Sequence, residues 1–297
     1  MHRGALGADP GNAQAGAPFV PILSETPHRE IAVRPFDSSK TRVAPVFEQL
    51  RAQSHDGSAW IHRLLALSCH GATRLTNPAP QRISSPQFGT TFGWSDREVA
   101  LAPPRSLLMW LVRHLEMPAR ESDLGNGPTL EKRKALANRD PKVVAEALAL
   151  LDSRSASERH PRAWYVLEGA SSPDVFLETD QAIIVIEGKR TEPGPTTSTS
   201  FLPGRHQMLR HMDCAWEIRR GRPVYGFFIV EEHADDHDWI DFAAATCSDA
   251  AIEGSLPHRG VNERLAIRRG FLGFTTWRAV CAEFAIDMAT LPDQVSA

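Results

Sequence analysis

The chain has 297 residues, a net charge of −3 and 23% charged residues, enough for one large or two small folded units and too nearly neutral to be a polycation. No stretch approaches the roughly 18 to 20 apolar residues that span a bilayer, and residues 1–21 hold no apolar core of signal-peptide length, so a cytoplasmic protein is expected. Cys69, Cys214, Cys247 and Cys281 are widely spaced, as reduced thiols are, and form no CxxC pair.

In chain order, residues 1–40 are rich in Gly, Ala and Pro without periodicity and read as a disordered or extended arm. A mainly helical region, 41–135, follows, with helices expected near 43–53, 58–69 and 104–117 and a short strand near 87–93. Asp140 before Pro141 is a cap followed by a first-turn proline, and predicts a helix over 140–152. Strands are expected at 163–168 (AWYVLE), 174–179 and 182–189, then a polar loop over 191–203 beside the site. A helix over 204–219 and a strand over 223–232 (PVYGFFIVEE) complete an α-β-β-β-α-β order within residues 136–297. Residues 238–297 read as further helical or mixed segments.

The strand AIIVIEGK raises a question, because an apolar run ends in Glu187, Gly188 and Lys189. Only two residues, Asp180 and Gln181, link it to the preceding strand. A two-residue hairpin sets Thr179 opposite Ala182 and, counting back, Asp174 opposite Glu187. Opposed residues have Cβ atoms about 5 Å apart. Alternation puts Glu187 and Lys189 on one face. Two carboxylates that close repel unless a proton or cation lies between them, and Mg²⁺ suits oxygen donors. The Gly188 carbonyl is a candidate third ligand. The competing reading is an ordinary hairpin with an exposed Glu–Lys pair. Lysine is scarce here (Lys40, Lys132, Lys134, Lys142 and Lys189 only), an arginine bias expected of a GC-rich bacterial genome, so a lysine at this spot is notable.

Pro173-Asp174 followed by Glu187-Gly188-Lys189 at the end of an Ile/Val strand resembles the PD-(D/E)XK nuclease superfamily, with the restriction-endonuclease-like fold. The resemblance covers about residues 140–232. It implies an α/β core, a mixed four-stranded sheet flanked by helices, behind a mainly helical N-terminal extension. It implies a Mg²⁺-dependent phosphodiesterase (Mn²⁺ as a substitute) acting on nucleic acid, with DNA the expected substrate. Asp174 and Glu187 would be metal ligands and Lys189 the catalytic lysine. Glu146 on the first core helix and Gln207 on the helix after the E-x-K strand match accessory positions. The alternative is a nucleic-acid-binding module that keeps the fold without turnover.

Other candidates are weaker. Glu168 could join a metal site. Arg205 and His206, at a helix start, could bind an anion. Residues 231–238 (EEHADDHD) read as a solvated acidic loop. Arg219, Arg220, Arg222, Arg264, Arg268 and Arg269 are candidate phosphate contacts. There is no Walker loop, dinucleotide fingerprint or GxSxG.

Overall fold

The centre of the fold is a strand buried on both faces, β3 (Ile183–Gly188), and its partners follow from its alternation. The structure, a computed structural model, describes residues 37–75, 93–94, 99–153, 163–192, 194–231 and 237–293. Residues 1–36, most of the 87–93 segment and 232–236 of the acidic loop therefore lie outside the described residues.

β2 (Val175–Glu178) pairs antiparallel with β3 in the register Val175↔Ile186 to Glu178↔Ile183. That is the register the two-residue turn predicts. The Thr179 amide donates to the Ala182 carbonyl at 2.9 Å, and the Thr179 hydroxyl accepts from the amides of Gln181 and Ala182. On the other side β3 runs parallel to β6 (Val224–Val230), which runs parallel to β7 (Phe271–Thr276). A two-residue edge strand, β1 (Gly93–Trp94), pairs antiparallel with β2, giving the order β1-β2-β3-β6-β7. The fold is thus α/β, a mixed sheet with four strands of four residues or more, flanked by helices.

One face carries Val175, Leu177, Ile184, Ile186, Phe227 and Ile229. It is covered by α1 (Ala44–Gln53), α2 (Ile61–Leu67) and α11 (Trp277–Glu283) through Val46, Phe47, Leu64 and Trp277. The other face carries Phe176, Ile183, Val185 and Phe228 and is covered chiefly by α7 (Gln207–Ile218) through Met208, Leu209 and Met212. α7 lies close to β6 because Gly226 has no side chain; a Cβ there would sit 2.7 Å from Met212. α8 (His237–Thr246), α9 (Asp249–Ser255) and α10 (Val261–Gly270) complete this layer.

A third apolar cluster joins α4 (Arg105–His114), α5 (Gly127–Ala137) and α6 (Pro141–Asp152). The Asp140 side chain caps α6, accepting from the amides of Lys142 and Val143 at 2.9 and 3.2 Å. Helices before residue 135 share cores with residues beyond it, α1 and α2 with the sheet and α4 and α5 with α6.

Two expectations need correction. Residues 163–168 are not a strand. The Arg133 guanidinium donates to the carbonyls of Trp164 at 2.8 Å and Val166 at 3.0 Å, so the acceptors a ladder needs are taken, while Tyr165 and Leu167 bury in the helical cluster. The β1 pairing occupies the free edge of β2 instead. The second correction is β7, in a region expected to be helical or mixed. Gly273, at φ +83°, interrupts its pattern, and the main chain of Cys69 and His70 pairs along it, donating to Phe274 and Leu272.

Candidate active site

Side chains from three elements meet at the C-terminal end of β3. The β2–β3 register, continued by one residue, sets Asp174 opposite Glu187, and the Gly188 amide donates to Asp174 Oδ2 at 2.8 Å. Lys189 Nζ lies 3.0 Å from Glu187 Oε1. Gln207, at the start of α7, donates from Nε2 to the same oxygen at 2.6 Å. Asp174, Glu187 and Lys189 are all buried. Gly188 must be a glycine, because a Cβ would meet Val43 at 2.6 Å and Trp277 at 2.9 Å. Trp277 Nε1 also donates to the Lys189 carbonyl at 3.2 Å, which fixes the strand end from the opposite face.

Two further residues belong here that sequence reasoning missed. His211 sits one turn after Gln207, and its Nε2 is 3.2 Å from Glu187 Oε2 without the alignment of a hydrogen bond. Ser171 holds the other ring nitrogen, Nδ1, at 2.7 Å. The i, i+4 spacing of Gln207 and His211 on a helix facing the sheet was the signal for it. Ser39 donates to Asp174 Oδ1 at 2.8 Å from a turn of helix (Ser39–Val43) that crosses the strand ends; 135 residues away in sequence, it carries no local signal.

Four candidate residues do not join. Glu146 is half-exposed on α6 and pairs with Lys132 at 2.5 Å. Glu168 and Arg205 neutralise each other in the interior, with Arg205 Nη2 2.9 Å from Glu168 Oε1 and 2.8 Å from Asp213 Oδ2. Arg205 is therefore structural, not an anion receptor. The buried His206 imidazole meets the Thr246 hydroxyl at 2.9 Å. The 191–203 segment does run beside the site. It folds back as a ribbon of β4 (Ser198–Thr199) and β5 (Leu202–Pro203), and its Thr196 carbonyl accepts from the Gln207 amide at 2.8 Å.

The two carboxylates differ in charge. Burial and the neighbouring Glu187 push the Asp174 carboxyl up to about 8, against the Ser39 and Gly188 hydrogen bonds. Burial alone would raise Glu187 too, but His211 and Lys189 outweigh it and hold this group below the usual carboxylate range. At neutral pH the pair thus keeps one proton, in the place a cation can take. Glu187 Oε2 is buried beside His211 Nε2 at 3.2 Å, without an aligned hydrogen bond. The described residues hold no group of three or more His, Cys, Asp or Glu side chains able to bind an ion. Mg²⁺ does not require one, since it commonly takes one or two carboxylates and completes its shell with water and phosphate. The donor set, two carboxylates beside the Gly188 carbonyl, fits that habit.

This charge state has a testable consequence. Asp174 has an ordinary value of 3.8 and a folded value of about 8, so the folded state binds more protons than the unfolded one between these limits. Its contribution to stability is present at low pH and is lost as pH rises from about 4 to about 8. In metal-free protein, Asp174→Asn should therefore gain stability relative to wild type across that interval. Paired thermal melts at several pH values check this, and a difference that stays flat with pH would refute the protonated Asp174.

Compared with known proteins, the chain matches no protein-family model, no curated protein and no solved structure. Among the described residues, no helix is long and apolar enough to cross a membrane.

Proposed function

We propose that the chain is a Mg²⁺-dependent nuclease of the PD-(D/E)XK type, hydrolysing phosphodiester bonds in nucleic acid, DNA foremost, in the cytoplasm. The observation that carries this reading is the convergence of Asp174, Glu187, Lys189 and Gln207 at one strand end. The α6, β2–β3 hairpin, α7 and β6 succession supports a restriction-endonuclease-like core. The edge strand departs from it, since β1 precedes α6 in the chain instead of following it.

In this reading Asp174, Glu187 and the Gly188 carbonyl hold the metal. When bound, Mg²⁺ lowers the pKa of a coordinated water and neutralises charge on a phosphate. Gln207 fixes Glu187 Oε1 and so orients the carboxylate. Lys189 supplies a compact positive charge beside Glu187, available to the phosphate as negative charge develops. His211, oriented by Ser171, supports the other Glu187 oxygen.

Calorimetric titration with Mg²⁺ tests the metal assignment. Wild type should bind the ion at millimolar concentrations, releasing a proton from Asp174 near neutral pH, and Asp174→Ala and Glu187→Ala should each lose it. Wild type with no affinity for Mg²⁺ or Mn²⁺ would overturn the reading.

A further inference from the structure

A second site lies at the other end of the sheet. A cleft of about 430 Å³ opens between the β2–β3 turn, the start of β6 and the end of α10. It is separated from Lys189 by the length of β3, about 20 Å at the rise of an extended strand. A cleft this size suits a small ligand.

Its walls carry Arg74, Arg219, Arg222 and Arg269, and no carboxylate among the described residues that line it. In a chain of net charge −3, that is a concentrated positive field. Most of these guanidinium groups are held by main-chain carbonyls, which satisfy donors without cancelling charge. Arg74 donates to the carbonyls of Phe271 and Arg268. Arg222 donates to those of Thr179 and Arg219, with one ion pair to Glu178. The Arg219 guanidinium carbon lies over the Trp216 indole, 3.6 Å from the ring centroid, and Arg219 donates to the Trp216 carbonyl at 2.7 Å. Arg269 is exposed and, among the described residues, has no ion-pair or hydrogen-bond partner. Helices α7 and α10 end at this cleft, and their C-terminal dipoles oppose an anion with about half a charge each. Glu178 pairs with Arg222, and Glu263 and Glu217 act on Arg219 together with Arg259, so Arg74 and Arg269 carry the positive charge that no carboxylate among the described residues offsets, against about one negative charge from the two helix ends. Beside the arginines stands the half-buried Tyr225 ring.

We infer that this cleft is a binding site for a free mononucleotide, distinct from the proposed active site. The phosphate meets the arginines, Arg269 first among them. The base lies against the Arg219 guanidinium stacked on Trp216, a surface that accepts a planar ring. The cleft holds one nucleotide and not a strand. Three of its four arginines come from the candidate phosphate contacts of the sequence, which the active site left unused.

Titration calorimetry on the full chain in EDTA tests this apart from the metal site. The probes are AMP, UMP, inorganic phosphate, adenosine and a single-stranded dodecamer. At least one monophosphate should bind more tightly than phosphate or adenosine. Arg269→Glu should weaken it about tenfold or more, the scale expected when a charge-assisted hydrogen bond gives way to a repulsion. Lys189→Ala should bind as wild type does. Arg269 touches nothing that folding needs, and an unchanged thermal melt checks that. Three results would overturn the inference: no monophosphate binding at millimolar concentration, binding undiminished in Arg269→Glu, or binding of the dodecamer alone. None of these bears on Mg²⁺ binding at Asp174 and Glu187, so the two readings fail separately.

Discussion

Lys189→Ala should reduce cleavage by about 10²-fold or more while leaving Mg²⁺ binding intact, the scale seen when a donor aimed at developing charge is removed. The Lys189 ammonium is buried beside Glu187 Oε1 at 3.0 Å, on the strand whose end also carries the proposed ligands. Its loss does not displace those ligands. Gln207 still holds Oε1, and Asp174 keeps its hydrogen bonds from Ser39 and Gly188. Removing a neighbouring positive charge should, if anything, tighten the ion. The signature is therefore a low turnover number with an unaltered or stronger Mg²⁺ isotherm, read by calorimetry and single-turnover cleavage on the same preparation. Equal cleavage by wild type and Lys189→Ala would remove the lysine from the chemistry.

The largest expected loss of stability comes from Arg205→Ala. Arg205 is 1% exposed and joins three parts of the chain. It meets Glu168 through two nitrogens, Asp213 on α7 at 2.8 Å and the Ser255 carbonyl on α9 at 2.5 Å. Burial would raise Asp213, but Arg205, His258 and Arg259 hold it well below the usual carboxylate range. Without Arg205, Asp213 retains Arg259 at 2.8 Å, whereas Glu168 keeps, among the described residues, only Arg210, at 3.6 Å. An uncompensated buried charge costs about 3 to 5 kcal/mol, and urea unfolding at pH 7 should show a loss of that size. Asp213, whose folded value is depressed, contributes stability above its unfolded value of 3.8 and loses it as pH falls. The gap between wild type and Arg205→Ala should therefore narrow below about pH 4, where Asp213 takes up a proton and its pairing with Arg205 no longer contributes. A loss under about 1 kcal/mol at pH 7 would mean that the carboxylates find other partners. The network also matters to the site, since it anchors the helix that presents Gln207 and His211.

The part of the site that was legible in the sequence is the part governed by local geometry. A two-residue turn and strict alternation fix one register, and that register alone brings Asp174 to Glu187. Gln207 was suggested only by the family resemblance, from its place on the helix after the E-x-K strand. What was not legible depends on distant chain. Residues 163–168 have the composition of a strand, but Arg133, some 30 residues earlier, takes their carbonyls. β7 hides behind a glycine in the left-handed region and a flank of helix-forming residues. Ser39 reaches Asp174 only because the first helices fold over the sheet. Glu168 and Arg205 were each suspected of separate roles, and the interior pairs them instead. Glu146 shows the opposite failure, a helix position that fits a pattern while its side chain points to a surface lysine.

The activity proposed for the β3 end is cleavage of nucleic acid with a divalent metal. The most direct measurement is cleavage of a labelled DNA duplex, a labelled DNA single strand and a labelled RNA by purified wild type, in Mg²⁺ and in EDTA, with Glu187→Ala alongside. Cleavage of at least one DNA substrate is expected in Mg²⁺, with none in EDTA and none by Glu187→Ala. Wild type that binds these substrates yet cleaves none of them in Mg²⁺ or Mn²⁺ would contradict it, and would make the chain a nucleic-acid-binding module without turnover.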